Sequence, residues 1–339
     1  MIVIDNVSSE PSEPVHRGRW CRGMSWLWGA AWLRGSGWVV LLCLLVLIYG
    51  SHAPLIALTQ SDGQVPFSPS SCVILIELTK LLVSTATLLA TEGRSALFST
   101  SVRGVHVLPY AAPAVLYSLN NNLVVYMQAH MDPSTFQLLS NLKIVSTAML
   151  YSSCLGKRLR PTQWLALGLL TMAGGAHSYS SLGNEAAAGP EDHWGPRLHV
   201  NGQGLVLLLV YCSSSGLAAV ITERTLKSQR LPLSLQNIFL YSWGVVINVA
   251  THVGGNGKER SFLEGFSALV WLIVIGQAAA GLMMSVVMKH GSGITRLFVI
   301  SSAMLVNGVI SWAMLRLQLT PLFLLPTGLV AIAAYLYYR

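Results

Sequence analysis

The chain has 339 residues, 53% of them hydrophobic and only 10% charged, with a mean hydropathy of +0.57. A soluble domain carries charge at about 25% of positions, so this composition excludes an ordinary water-exposed enzyme or binding module. The net charge of +8 is no signature of nucleic-acid binding, because the basic residues flank apolar blocks instead of gathering into a patch.

Residues 1–37 read as a cytosolic arm in which "RWCRGMSWLWGAAWLR" interleaves Arg with Trp20, Trp26, Trp28 and Trp32, a mixture suited to the lipid headgroup layer. The arm lacks the charged start and short apolar core of a cleavable signal. Apolar blocks follow, each near the roughly 20 residues that cross a bilayer. The first five are Trp38–Leu58, Ser70–Thr91, Val107–Ala129, Ser134–Leu155 and Gln163–Ser181. After a lumenal loop over 182–203 come Gly204–Thr222, Leu233–Val253, Phe266–Met288, Ile294–Leu315 and Pro321–Tyr338. The fold class expected is therefore an all-α polytopic membrane protein of ten transmembrane helices.

Thirteen of the 21 basic residues fall on the side of the N-terminal arm, among them Arg17, Arg94, Lys157, Arg160, Arg224, Arg230 and Arg339, against four on the other: Arg197, Lys258, Arg260 and Arg316. That bias places both termini in the cytosol. Cys43, Cys72, Cys154 and Cys212 lie in apolar blocks and Cys21 in the arm, which suits buried or reduced thiols and no disulfide framework. "NVS" at Asn6 matches a glycosylation acceptor on the cytosolic side, where it stays unmodified.

"LRPTQWLALGLL" (Leu159–Leu170) and "LTPLFLLPTGLV" (Leu319–Val330) share Leu-x-Pro and a glycine at the same offset, and each follows a helix containing "AML". The echo pairs spans four and five with nine and ten. A five-span unit repeated in one chain is inverted in the membrane, the architecture of many secondary transporters. Residues 38–181 and 204–339 would be the two halves.

Lys143 sits inside the fourth block, ten residues from Pro133 and fourteen from Lys157. At ~1.5 Å per residue either end is roughly 15–20 Å away, beyond a snorkelling lysine, and an ammonium at mid-helix costs about 2.5–3.5 kcal/mol. With Ser140, Ser146 and Thr147 it forms a polar stripe at helical spacing. Similar stripes are Tyr117, Asn121 and Gln128 beside Asn120 and Asn122; Asn237, Tyr241 and Asn248; and Gln277, Gly281, Ser285 and Lys289. One stripe is helix–helix glue, whereas several together with cations indicate an aqueous cavity. The break "MKHGSGITRLF" offers a helix N-terminus with Arg296 in its first turn, an arrangement that attracts phosphate but equally describes a short basic cytosolic turn. Glu77 and Lys80, three apart, form a structural ion pair, leaving a surplus of buried positive charge. That surplus fits an anionic ligand and disfavours a cation pump. The acids contain no Asp-x-Asp pair and the histidines no His-x-x-x-His spacing, so neither an enzyme nor a metal or cofactor site is expected. Small residues such as Gly276 and Gly281 suit packing within one chain or between copies in a homo-oligomer.

"ELTKLL" (Glu77–Leu82), "LYSLNNNLVVY" (Leu116–Tyr126), "STFQLLSNLKIVSTAML" (Ser134–Leu150), "SGLAAVITERTLK" (Ser215–Lys227) and "VVMKHGSGITRLF" (Val286–Phe298) together resemble the nucleotide-sugar transporters of the drug/metabolite transporter superfamily. The resemblance implies ten helices in two inverted halves and, in the Golgi membrane, exchange of a cytosolic UDP- or CDP/CMP-linked sugar or alditol for nucleoside monophosphate. It makes Lys143 the lysine of the family's "QLKI" motif, facing the phosphates, and Lys289 that of "KYADNI". Tyr117, Asn121 and Asn122 would line the pocket near the base or ribose. The remaining candidate contacts are Arg296, Ser140, Gln277, Ser285, Asn237 and Tyr241. The chain departs from the pattern at Asn141, His290, Ser292, Gly293 and Arg296, which leaves open a transport-inactive membrane adaptor or complex subunit with the same fold.

Overall fold

The computed structural model describes residues 35–60, 65–92, 104–127, 131, 133–187, 202–254, 262–315 and 324–339; the Arg/Trp arm and most of the 182–203 connection lie outside them. The main helices are α1 (Ser36–Thr59), α2 (Pro69–Glu92), α3 (Ala111–Met127), α4 (Pro133–Ser140), α5 (Lys143–Cys154) and α6 (Pro161–Ala187). After them come α7 (Gly202–Ser228), α8 (Leu233–Gly254), α9 (Ala268–His290), α10 (Gly293–Leu315) and α11 (Leu324–Tyr338). A single helical turn, Gly104–Val107, and a 3₁₀ turn, Leu108–Tyr110, lead into α3. Six helices (α1, α2, α7, α8, α9 and α10) are long and apolar enough to cross a membrane. Their outer faces expose Leu44, Leu82, Leu209, Val246, Ile275 and Trp312, as side chains facing lipid would be.

The fourth block is not one continuous helix. It breaks at Asn141–Leu142, where Leu142 N–H donates to Leu139 O and Ile144 N–H to Asn141 O, each at 3.0 Å. These i→i+3 bonds tighten the backbone into a 3₁₀ turn, and Lys143 opens the helix that follows. Asn141 occupies the break because Gly174 of α6 lacks a side chain there; a Cβ on that glycine would meet Asn141 Oδ1. Asn141 Nδ2 donates to Leu138 O at 3.2 Å and to Ser178 Oγ at 3.4 Å.

Among the described residues, the two largest of four apolar clusters hold most of the bundle. One joins α1, α8 and α9 through Leu45, Leu235 and Val287 with Tyr110. The other joins α5, α6, α7, α10 and α11 through Ala148, Leu167, Val220, Ile294 and Ala333. Glycine permits close helix approach at two of these contacts. Gly50 of α1 faces Val306 and the Ala303 carbonyl of α10, and Gly216 of α7 faces the Thr147 backbone of α5.

The α5–α6, α7–α8 and α9–α10 turns share one end of the bundle, since Lys157 reaches Glu223 and Lys227 donates to Gly291 O. Both described chain ends are there too: Trp38 lies against Gly291, and Tyr338 hydroxyl bonds Thr295 Oγ1 at 3.2 Å. Lys157, Arg158, Arg160, Arg224, Lys227, Arg230 and Arg339 cluster at this basic end. Gly156, at φ 63°, takes the left-handed conformation that ends α5 and carries Lys157 back over the bundle.

Packing predicts a contrast between two glycines. Gly216→Val places methyls against the Thr147 backbone, where a Cβ alone would already sit 3.0 Å from Thr147 Cα, and should cost about 1–3 kcal/mol by overpacking. Gly168→Ala, with nothing within 4 Å, should leave the melting temperature in detergent unchanged or slightly raised.

Candidate functional site

A cavity of about 270 Å³ lies between α1, α2, α3, α7, α8, α9 and α10, close to the lower limit for small-molecule sites. Five of the expected contacts line it: Tyr117, Asn121, Tyr241, Ser285 and Arg296. Glu77 and Lys80 line it as well, so the ion pair belongs to the cavity wall and is not hidden between helices.

Arg296 projects from the first turn of α10. Its Nη1 donates to Tyr117 hydroxyl at 3.2 Å, and the guanidinium stands 5.6 Å from the Tyr117 ring centroid, within cation–π range. Tyr117 hydroxyl also lies 3.4 Å from Thr222 Oγ1, and Tyr49 and Tyr211 stand within electrostatic range of the guanidinium. Aromatic rings and hydroxyls surround this cation; among the described residues no carboxylate is within ion-pair distance of it.

Elsewhere on the cavity wall, Lys80 Nζ lies 2.5 Å from Glu77 Oε1, with side chains 11% and 17% exposed. The ammonium sits 4.4 Å from the Tyr241 ring centroid, and Tyr241 hydroxyl donates to Gly281 O at 3.2 Å. Gly244 and Gly281 make room for the pair: a Cβ would stand 2.7 Å from Glu77 Oε2 at the first and 2.8 Å from Lys80 Cδ at the second. Ser285 accepts from Asn237 Nδ2 at 2.9 Å, so Asn237 holds a cavity residue from behind.

The other candidates lie elsewhere. Lys143 is half-buried and within electrostatic range of Arg296 and Cys212, but it is not part of the cavity wall. Among the described residues it, too, has no carboxylate at ion-pair distance. Lys289 donates to the carbonyls of Leu226 and Gln229 at the end of α7, satisfying groups a helix C-terminus leaves open. Ser140 is buried and Gln277 half-buried, both outside the wall; the side chain of Asn122 is outside the described residues. Sequence reasoning missed Tyr49 and Thr222, although a lone Tyr in the run "LLVLIYG" was a usable signal. Cys43, Cys72, Cys154 and Cys212 are free thiols.

The nucleotide-sugar transporter family model matches residues 38–338. The chain belongs to that family. It is 60% identical to the "Probable UDP-sugar transporter protein SLC35A4" of Danio rerio, over 98% of this chain and 97% of that one. The proteins of the same name from Homo sapiens and Xenopus tropicalis are 50% and 49% identical over 88% of this chain, covering 93% and 91% of their own lengths. A solved crystal structure aligns with a TM-score of 0.64 over 88% of this chain and 94% of its own, at 15% identity, a likeness of fold alone. Members of this family are membrane carriers and not enzymes.

The ion pair yields a stability prediction. Glu77→Ala leaves Lys80 without its carboxylate and should destabilise the protein by about 3–5 kcal/mol. Glu77→Gln with Lys80→Met should recover most of that loss in the same detergent melt.

Proposed function

We propose that the chain carries a UDP- or CDP/CMP-linked sugar or alditol across the Golgi membrane in exchange for nucleoside monophosphate. The observation that carries this reading is Arg296, a cation on the cavity wall with tyrosines and, among the described residues, no carboxylate around it. Glu77 and Glu223, the two described acids inside the bundle, are already engaged by lysines. A pyrophosphate would supply the missing negative charge, with Lys143, within electrostatic range of Arg296, adding to the field. Tyr117, Asn121 and Ser285 offer hydrogen bonds to the nucleoside and the attached group. Exchange follows if the empty site resists switching, because an uncompensated cation in low dielectric is costly.

Ten crossings arise when α3, the broken α4–α5 unit, α6 and α11 join the six helices that are long and apolar enough to cross a membrane. Helix pairing supports two inverted halves, 38–181 and 204–339. Numbering the crossings in order, one packs on nine and four on six; three packs on six and one on eight; two packs on eight and three on seven. Each pair becomes the other when five is added or subtracted, and two–seven and five–ten, also in contact, map onto themselves. The basic end, holding both described chain ends, is then the cytosolic face.

A transport-inactive adaptor is the lesser reading, since the cavity and its cation are retained. The deciding experiment loads proteoliposomes with UMP or CMP and follows labelled UDP- and CDP-linked compounds. Internal nucleotide should stimulate uptake, and Arg296→Ala or Lys143→Ala should each reduce it at least about tenfold, near 1.4 kcal/mol of interaction. Uptake unchanged in both variants overturns the site. Absence of both uptake and nucleotide-induced thermal stabilisation supports the adaptor.

A further inference from the structure

Glu223 lies on α7, one residue past cavity-lining Thr222, and is 1% exposed. Three groups converge on its carboxylate. Lys227 Nζ, one turn along α7, is 2.7 Å from Oε1. Lys157 Nζ, from the α5–α6 turn, is 3.7 Å from the same oxygen. The Gly293 N–H, at the start of α10, donates to Oε2 at 2.6 Å. Lys227 also donates to Gly291 O at 2.5 Å, so one carboxylate ties together α7, the α5–α6 turn and the α9–α10 turn.

This cluster lies beside the cavity lining, between Thr222 and Leu226 on α7, and joins it to the turns of the basic end. Leu226 and Met288 line the cavity, and Lys289 binds the Leu226 carbonyl. Gln229 continues the closure across to the start of α3, donating to His106 O at 3.1 Å and accepting from Tyr110 hydroxyl at 3.2 Å. Residues flanking the cluster on α7 are buried, including Thr225 at 7% exposed.

We propose that Glu223, with Lys157 and Lys227, is the latch of a gate that closes the basic end of the cavity and is broken and remade in each transport cycle. The inference rests on the carrier reading above and adds the device that lets one end open. One contact crosses between the halves, Lys157 of the first to Glu223 of the second, while the Gly293 and Gly291 contacts join α7 to the α9–α10 turn within the second. The chemistry suits reversible use. Desolvation of a buried ion cluster largely offsets its Coulomb attraction, so hydrating these charges on opening changes the free energy little, and a gate that works in both directions needs two states of similar energy.

Opening has two further consequences. The ammonium groups of Lys157 and Lys227, already 52% and 32% exposed in the closed state, become a cationic rim that draws in nucleotide phosphates. Releasing Gly293 also frees the end of α10, and Arg296 lies three residues further along. Ligand charge at Arg296 and latch release are thereby coupled through less than one helical turn.

The test places a reporter, Thr225→Cys, in a background with all native cysteines changed to Ser, and measures its modification by a charged methanethiosulfonate in detergent. A second reporter, Ala173→Cys, stands in the apolar core away from the gate, where Ala173 is 1% exposed. Glu223→Gln and Lys157→Gln should each speed modification at 225 at least about fivefold, as expected for a shifted closed–open equilibrium, and leave 173 unchanged. Equal acceleration at both reporters means general loosening and overturns the latch; so does no acceleration at 225. Should Glu223→Gln fail to fold, Lys157→Gln, on an exposed turn, decides between these outcomes alone. Melting with UMP and CMP on the same samples separates the latch from the carrier reading: a nucleotide shift with unaltered modification overturns only the latch. Faster modification at 225 without any nucleotide shift supports the gate and counts against the cavity as the binding site.

Discussion

Positive charge without a carboxylate partner, held inside a low-dielectric bundle, is the constraint on which the site depends. Of the thirteen acids, Glu77 and Glu223 are the described ones that lie within the bundle, and each is bound to lysine. Lys289 is taken up by the Leu226 and Gln229 carbonyls, which leaves Lys143 and Arg296 among the described cations within the bundle. An isolated ion in such surroundings is tolerated only with water, aromatic faces or a ligand of opposite sign, and Arg296 has the Tyr117 ring and hydroxyl. Tyrosine stabilises a guanidinium without cancelling its charge, which keeps the cation available to an anion.

The rest of the bundle arranges helices around that charge. Gly244 and Gly281 let α8 and α9 close over the Glu77–Lys80 pair, so the acid on the cavity wall is neutralised in place. The 3₁₀ turn at Asn141–Leu142 starts a new helix at Lys143, within electrostatic range of Arg296. Glu223 fixes the N-terminus from which Arg296 projects. A carboxylate at a helix start is favourable by up to ~2 kcal/mol when partly buried, and here it also connects the charged site with the closed end.

What was legible in the sequence was local. The Glu77–Lys80 pair follows from i,i+3 spacing, and the extra cations follow from counting charges within apolar blocks. The stripe containing Tyr117 and Asn121 marked a cavity face because those positions share one side of a helix. Lys289 was harder: a lysine in the last turn of a helix reaches either a cavity or a neighbouring helix end, and only the placement of α7 decides that it meets the Leu226 and Gln229 carbonyls. Asn237 matched a cavity stripe yet points at Ser285 from behind, since helical period fixes a face and not what that face meets. The break before Lys143 depends on Gly174 admitting the Asn141 side chain, and the Glu223 cluster joins residues 70 positions apart; both are products of tertiary packing that no local pattern encodes.

The most direct measurement of the central claim is an experimental structure of the protein with a UDP- or CDP-linked compound bound. The pyrophosphate should lie within hydrogen-bonding distance of the Arg296 guanidinium, on the side of the cavity nearest Lys143, with Glu77 still on Lys80. Phosphates bound away from Arg296, or an acidic side chain closing on Arg296 or Lys143 in their place, would contradict that claim.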